Sequence, residues 1–367
     1  MEDHKRMYLQ EFLDQTEVNV EAFIEFIKEN ETRFRDSYAE TIGFSSENLI
    51  KMILMDAAFV IKFLLKWNYK DFRGRRDNIF YPPYKSVHVR LDICLLENQL
   101  PFFILEDLYR ISNIDSPKPT KCFNSPKSTL IELTHWFFSN EWGSPGAVGE
   151  YLGRADFSEV KHLVDFLTIY YRPTEVQQPI EELDVLTAPS VKELHQAGVK
   201  FVLSSSKNLL DIKFDRNKGR LEIPRLRLED RTEVIIRNMQ VFEQCHVVNY
   251  GYVGDYIFLM GLFDSASKDV EILFENHIIE NWLPSNKEVV QLFYNLNKQN
   301  RVSRDVFLFK GLIKDLNEFC ERPWNKWKAN FKQNYFNTPW AAISVSGAVI
   351  LLILTVIQSV CSILEVV

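Results

Sequence analysis

The sequence has few of the features that mark metal centres, disulfide-rich proteins or phosphate-binding loops. Its five cysteines are scattered over 367 residues without a CxxC pair, which excludes the usual zinc-site spacings and is typical of reduced thiols. A glycine-rich phosphate loop, a helical zinc-protease motif and a GxSxG nucleophile elbow are all missing. We therefore predict no cofactor, no metal and no catalytic residues.

Excess positive charge is also missing, because the formal net charge is −7 at pH 7. Nucleic-acid-binding proteins usually carry a basic surface, so nucleic acid is not expected as a partner. There is no internal repeat, and hydrophobic residues make up 46% of the chain, as in a well-packed globule. We predict one domain over residues 1–335, with the acidic, aperiodic stretch 174–187 as a subdomain boundary.

Charged residues are absent from Gln333 to Leu364, and Ala341 to Leu364 is almost entirely apolar. As a helix this run would rise about 36 Å, enough to cross a hydrocarbon core of roughly 30 Å. The pattern predicts a transmembrane helix over residues 338–364 that contacts membrane lipid. Its anchoring residues would be Trp340, Ile343, Val349, Leu351, Leu352, Leu354, Val356 and Ile357.

Aromatic and basic residues precede this run, as they do at the cytoplasmic face of membranes. The pattern predicts a single-pass tail anchor with its domain in the cytosol, in either the plasma membrane or an endomembrane. A glycosylation sequon at Asn30 would matter only in the alternative topology, with the domain at the cell surface. The predicted interface collar comprises Arg322, Trp324, Lys326, Trp327, Lys328 and Lys332.

Apolar residues at helical spacing predict a mainly α-helical fold. The stretch Glu47 to Trp67 is apolar on nearly every face, yet Lys51, Asp56, Lys62 and Lys66 within it favour a core helix over a second membrane span. A further helix is expected to open at Asp156 and Glu159.

The C-terminal half begins with a capping box at Ser190 to Glu193 and a helix-ending Gly198. Two alternating runs separated by the turn Asp215 to Arg220 predict a small antiparallel hairpin. The remaining predicted helices are Glu229 to His246, Val253 to Asn281 and Asn286 to Asn300.

The most unusual internal segment contains polar residues among apolar ones, followed by a proline. We predict a chain break near residues 98–100, with Pro101 opening a new helix and the polar side chains capping freed backbone groups. This motif could be a capped kink in the core, which we favour, or a buried polar binding site. Its residues are Asp92, Leu96, Glu97, Asn98, Gln99, Pro101 and Phe102.

Three stretches together resemble a plant family, domain of unknown function 247, also catalogued as uncharacterised protein family UPF0481. They are Leu91 to Tyr109, Gly198 to Cys245 and Cys320 to Ser344. The resemblance implies a plant-specific, mostly helical, single-pass protein without established chemistry, and some grass members are implicated as male determinants of self-incompatibility. Family members usually have some tens of residues before the stretch that begins here at Met1, so this chain resembles an N-terminally short member.

These observations lead to two hypotheses about function. The first is a membrane-anchored, non-enzymatic recognition or signalling module that binds an unidentified protein. The alternative is a membrane-tethered enzyme with a site near Asp92 and Glu97.

Overall fold

The computed structural model describes residues 1–74, 77–81, 84–116, 128–139, 157, 159–172, 186–206, 208–246, 251–323, 325 and 339–364. It is a mainly helical globule with two small sheets, as predicted. The helices are α1 Glu2–Gln15, α2 Val20–Glu29, α3 Glu31–Asp36, α4 Ser46–Asn68, α5 Tyr84–Ile93, α6 Phe102–Ser112, α7 Leu130–Ser139, α8 Leu163–Tyr170, α9 Val191–Ala197, α10 Thr232–His246, α11 Tyr252–Phe263, α12 Ser267–Glu275, α13 Asn286–Asn297, α14 Lys310–Glu321 and α15 Pro339–Leu364. The strands are β1 Lys200–Leu203, β2 Lys213–Asp215, β3 Arg220–Ile223, β4 Leu226–Leu228 and β5 Ile279–Asn281.

Helix α4 is the centre of the N-terminal half, as its apolar surface predicted. Ser45 caps it by accepting a hydrogen bond from the Asn48 amide. Helices α1, α2, α6 and α7 all pack against it. Most of its apolar side chains are buried, which confirms the prediction of a core helix.

A buried polar network joins α1 to α4. The Lys66 ammonium lies 2.6 Å from Asp77 Oδ2 and 2.6 Å from Glu11 Oε2. The Tyr8 hydroxyl donates to the same Asp77 carboxylate at 3.0 Å. Burial lowers the pKa of the neighbouring Lys62 to about 8. Because the buried charges are paired with one another, we interpret this network as a structural part of the core.

The predicted chain break lies between α5 and α6, around the short 3₁₀ turn Leu96–Asn98. The buried Gln99 amide donates to the carbonyls of Ile93 and Leu95, at 2.8 and 2.7 Å. Its oxygen accepts from the Val164 amide at 3.1 Å, near the start of α8. One side chain thus satisfies backbone groups at two helix termini.

Other motif residues contribute less to this junction. Asp92, Glu97 and Asn98 are exposed, and Asn98 donates to the Asp92 carbonyl at 3.0 Å. Pro101 is the N-cap of α6, as predicted. The described geometry is that of a capped kink.

The C-terminal half contains the predicted hairpin. Strands β2 and β3 pair antiparallel, with Phe214 opposite Leu221. Gly219 in the turn has a φ of +61°, and a Cβ there would lie 2.7 Å from the Phe319 ring. Strand β1 pairs parallel to β3, while β4 and β5 form a second, parallel pair that the sequence pattern did not predict.

Local capping sets the boundaries of α8 and α9. The capping box at Ser190 and Glu193 is present, and Gly198 ends α9 with a φ of +101°. The helix predicted to open at residues 156 and 159 begins instead at Leu163, because His162 accepts from the Asp165 amide.

The single helix predicted over residues 253–281 is wrong. In the structure, this stretch is interrupted at Asp264 and forms helix α11, helix α12 and strand β5. The Asp269 carboxylate accepts from the Ala266 amide at 2.9 Å and starts a new helix, since it satisfies an amide that no preceding turn can pair.

The predicted transmembrane anchor is also wrong. Within the described chain, no helix combines the length and the apolar character that a membrane crossing requires. This finding corrects the single-pass tail-anchored class, the lipid contact and the membrane localisation together.

Residues of the predicted anchor and collar are only partly described. The side chains of Val349, Leu351, Leu352, Leu354, Val356 and Ile357 are exposed on α15. Arg322 is exposed after α14. The side chains of Trp340 and Ile343, and residues Trp324, Lys326, Trp327, Lys328 and Lys332, lie outside the described residues. Most of the predicted boundary at 174–187 lies outside them as well.

Replacing the junction amide tests its structural role. We expect Gln99→Leu to lower the free energy of unfolding by about 2 to 4 kcal/mol, because buried backbone groups lose their partners. Asn98→Ala, which removes an exposed hydrogen bond beside it, should cost less than about 1 kcal/mol. Urea unfolding followed by circular dichroism measures both, and equal costs for the two variants would contradict a special role for Gln99.

Candidate functional site

A cavity of about 540 Å³ lies between α11, α13 and the segment that precedes α14. Its volume lies in the range of roughly 300 to 1,000 Å³ that is usual for small-molecule sites. We call it the Asp264 pocket. Its walls are formed by Leu186, Phe258, Leu262, Val290, Phe293, Tyr294 and Val302, and its polar lining by Asp264, Ser265, Asn297, Asn300 and Arg304.

Two glycines on α11 let the side-chain amides of Asn297, the last residue of α13, and of Asn300 beyond it approach the α11 backbone. A Cβ at Gly261 would lie 2.3 Å from Asn297 Nδ2, and one at Gly254 would lie 2.8 Å from Asn300 Oδ1. Asn297 Nδ2 donates to the Ile257 carbonyl at 3.0 Å. Because glycine has no side chain, α11 and α13 can pack this closely as two walls of the Asp264 pocket.

Asp255 attaches the third wall to α11. Its Oδ2 accepts from the Leu308 amide at 2.7 Å, four residues beyond Arg304. Burial raises the pKa of Asp255 to about 7, and the Leu308 amide opposes that rise. This hydrogen bond holds the segment that carries Val302 and Arg304 in place.

Asp264 is the exceptional residue of the pocket. Its side chain is 2% exposed, and neither carboxyl oxygen has a hydrogen-bond partner among the described residues. Burial, and then the nearby Asp269, raise its pKa well above the ordinary value. Buried polar atoms nearly always have partners, so a carboxyl with none requires an explanation, and a bound group is one.

The rest of the polar lining is unevenly paired. Asn300 Nδ2 donates to the Gly254 carbonyl at 2.7 Å, while Asn300 Oδ1 has no partner within the described chain. Asn297 uses its amide group on Ile257 and its oxygen as an acceptor from Asn300. The lining therefore combines buried unpaired oxygens on Asp264 and Asn300 with the donor groups of Tyr294 and the exposed Arg304.

A metal ion is not indicated by the residue types present. In the part of the chain that the structure describes, no group of three histidine, cysteine, aspartate or glutamate residues could hold one.

The predicted motif residues lie elsewhere, at the Gln99 junction. Leu96 is tied to α10 through its amide, which donates to Asn238 Oδ1 at 2.7 Å, and Phe102 is buried at the start of α6. The sequence pattern did not predict the Asp264 pocket. Its detectable signals were glycines seven residues apart in the apolar helix α11, and an aspartate directly after that helix.

An uncharged isostere at Asp264 should stabilise the protein at high pH. A carboxyl with a raised pKa holds its proton more tightly when folded, so native stability falls as pH rises from about 4 through the raised value. We expect Asp264→Asn to remove this loss and to be more stable than wild type at pH 8 by roughly 1 to 3 kcal/mol.

Urea unfolding at pH 4, 6 and 8 measures this difference. The exposed Asp305, in the neighbouring segment, supplies the control Asp305→Asn, which should follow wild type at every pH. A constant offset of Asp264→Asn from wild type across the three pH values would contradict the prediction.

Comparison with known proteins places the chain among plant proteins. It is 28% identical over 392 residues to a UPF0481 protein of Arabidopsis thaliana, covering 100% of this chain and 79% of the relative. A second UPF0481 protein of the same plant is 21% identical over 426 residues, covering 91% of this chain and 78% of the relative. No solved structure matches the chain. The family described as plant protein of unknown function, domain of unknown function 247, matches residues 1–354, and this chain belongs to it.

Proposed function

We propose that this protein is a non-enzymatic recognition module that binds a chemical group of a partner protein in the Asp264 pocket. The observation that carries the proposal is the buried, unpaired carboxyl of Asp264 in an apolar cavity. A buried carboxyl without a partner lowers stability, and a bound ligand group would remove that penalty.

The mouth of the pocket supports recognition by an exposed surface. Tyr294 lines the cavity and is 64% exposed, and Arg304 beside it is exposed as well. Tyrosine and arginine are enriched in protein interfaces, where they combine apolar contact with hydrogen bonding. A partner residue that enters the cavity would contact both.

The enzyme hypothesis near Asp92 and Glu97 has less support. Both side chains are exposed at the surface of the capped kink. The buried polar group at this kink is the amide of Gln99, which donates its hydrogen bonds to backbone carbonyls. A recognition role also agrees with the self-incompatibility function that the family resemblance implies for some members. We include such a signalling role in the proposal.

Filling the pocket tests this function. Val290→Phe should place a ring in the cavity and abolish partner binding, whereas Gln291→Phe adds the same ring at the next, exposed position of α13. The immobilised proteins are incubated with plant extract, and the retained proteins are identified by mass spectrometry. Thermal unfolding confirms that both variants are folded.

We expect a protein that wild type and Gln291→Phe retain and Val290→Phe loses. The proposal fails if all three retain the same proteins, or if wild type turns over a substrate in a reaction that Asp264→Asn abolishes.

A further inference from the structure

The side chains that remain open to a ligand at the mouth of the Asp264 pocket are hydrogen-bond donors. The unpaired oxygens of Asp264 and Asn300 are covered by protein, so a molecule in the cavity meets other groups first. Tyr294 and Arg304 line the cavity with exposed side chains, and neither has a polar partner within the described chain. A hydroxyl and a guanidinium group that are free to donate call for a ligand group that accepts.

The other polar side chains of the lining already use their donors. Ser265 Oγ donates to Asp269 Oδ2 at 3.1 Å. Asn297 Nδ2 donates to two backbone carbonyls, each at 3.0 Å. Asn300 Nδ2 donates to a backbone carbonyl at 2.7 Å and to Asn297 Oδ1 at 3.3 Å. The recognition of a polar ligand group therefore falls to the hydroxyl and the guanidinium at the mouth.

The segment that forms the third wall is basic. Lys298, Arg301 and Arg304 are exposed and form no ion pair within the described chain. Residues 298–304 include no aspartate or glutamate, and the exposed Asp305 is the first acid after them. Burial raises the pKa of Asp264, which reduces the negative charge beneath the mouth at a given pH. The local field therefore favours an anion.

The interior of the pocket favours an apolar body. Phe258, Val290 and Phe293 line it, so a charged group has nothing to pair with there and would stay at the mouth. The hydrogen bond from the Leu308 amide to Asp255 holds the basic segment against α11 before any ligand arrives. Such preorganisation lowers the cost of binding.

We infer that the Asp264 pocket binds a carboxylate that is joined to an apolar group. The apolar group enters the cavity, and the carboxylate accepts hydrogen bonds from the Arg304 guanidinium and the Tyr294 hydroxyl. Arginine suits this task, because its planar donors match the two oxygens of a carboxylate. This inference rests on the proposed function and names the chemistry of that recognition at the mouth of the same cavity.

Three probes that share a phenyl ring and differ in charge test the inference. They are 3-phenylpropionate, 2-phenylethanol and phenethylamine, each titrated into the full chain at neutral pH by isothermal titration calorimetry. We expect 3-phenylpropionate to bind at least tenfold more tightly than the alcohol or the amine. Its affinity should fall as salt is added, because the pairing at the mouth is exposed to solvent.

Variants at the mouth locate the carboxylate. Arg304→Gln should weaken 3-phenylpropionate binding by about tenfold, and Tyr294→Phe, which keeps the ring, by about threefold to tenfold. Arg301→Gln is the control, because it removes the same charge from the same segment at a position that does not line the cavity. We expect it to change the affinity less than about threefold. All three side chains are exposed, so the variants should fold, and thermal unfolding checks this.

Peptides separate two sources of the carboxylate. In a protein, the chain terminus carries a carboxylate beside its last side chain, so an acetylated tripeptide ending in phenylalanine with a free carboxylate imitates a partner protein. Tighter binding of this peptide than of 3-phenylpropionate, lost in its carboxamide, would support the inference and assign the group to a partner's C-terminus. Tighter binding of the free acid would also support it and assign the site to a small molecule.

Equal binding of 3-phenylpropionate and 2-phenylethanol, or equal effects of Arg304→Gln and Arg301→Gln, would overturn the carboxylate inference. If the alcohol then binds wild type but not Val290→Phe, recognition in the pocket survives without the carboxylate. Failure of every probe to bind wild type would overturn the inference as well. The comparison of retained proteins with Val290→Phe would still decide the proposed function separately.

Discussion

The hydrogen bonds of Gln99 are the constraint on which the architecture depends. Pro101 stops the chain from continuing as one helix, and the amide of Gln99 satisfies backbone groups at the end of α5 and the start of α8. The Tyr38 hydroxyl donates to the Gln99 carbonyl at 2.9 Å, so the region after α3 meets the same point. Through the bond from Leu96 to Asn238, the junction reaches α10, which packs against α11 and hence against the wall of the Asp264 pocket.

Two buried carboxyls of the molecule differ in their surroundings. Around Lys66 and Asp77, opposite charges and a tyrosine hydroxyl satisfy one another, so the core needs no external group. Asp264 is buried to the same extent with no partner in the described chain. The contrast is informative, because the sequence does supply partners for the buried carboxylate of Asp77, which has a structural role in the core.

The parts of the fold that the sequence could predict are governed by neighbours along the chain. The capping box at Ser190, the hairpin turn at Gly219 and the break before Pro101 all follow from residues a few positions apart. Helix type was predictable over long apolar stretches such as α4 for the same reason. The start of α8 and the division at Asp264 were missed, because capping by His162 and Asp269 competes with an apolar pattern that continues through them.

The pocket could not be predicted, because its walls meet only after α11, α13 and the segment before α14 come together. At the C-terminus, the length of the apolar run predicted an anchor that the described helices do not contain. Gly254 and Gly261 are visible in the sequence, but their role depends on Asn297 and Asn300. These residues lie some forty positions away along the chain and contact the glycines only in the folded protein. Non-local contacts of this kind leave no periodic pattern.

The unpaired carboxyl of Asp264 has a consequence for the amount of protein in a cell. A ligand that binds only the folded state shifts the folding equilibrium toward it, by an amount that grows with ligand concentration. Empty molecules would populate unfolded forms more often and be degraded sooner. Steady-state abundance would then follow the supply of the ligand, without any change in synthesis.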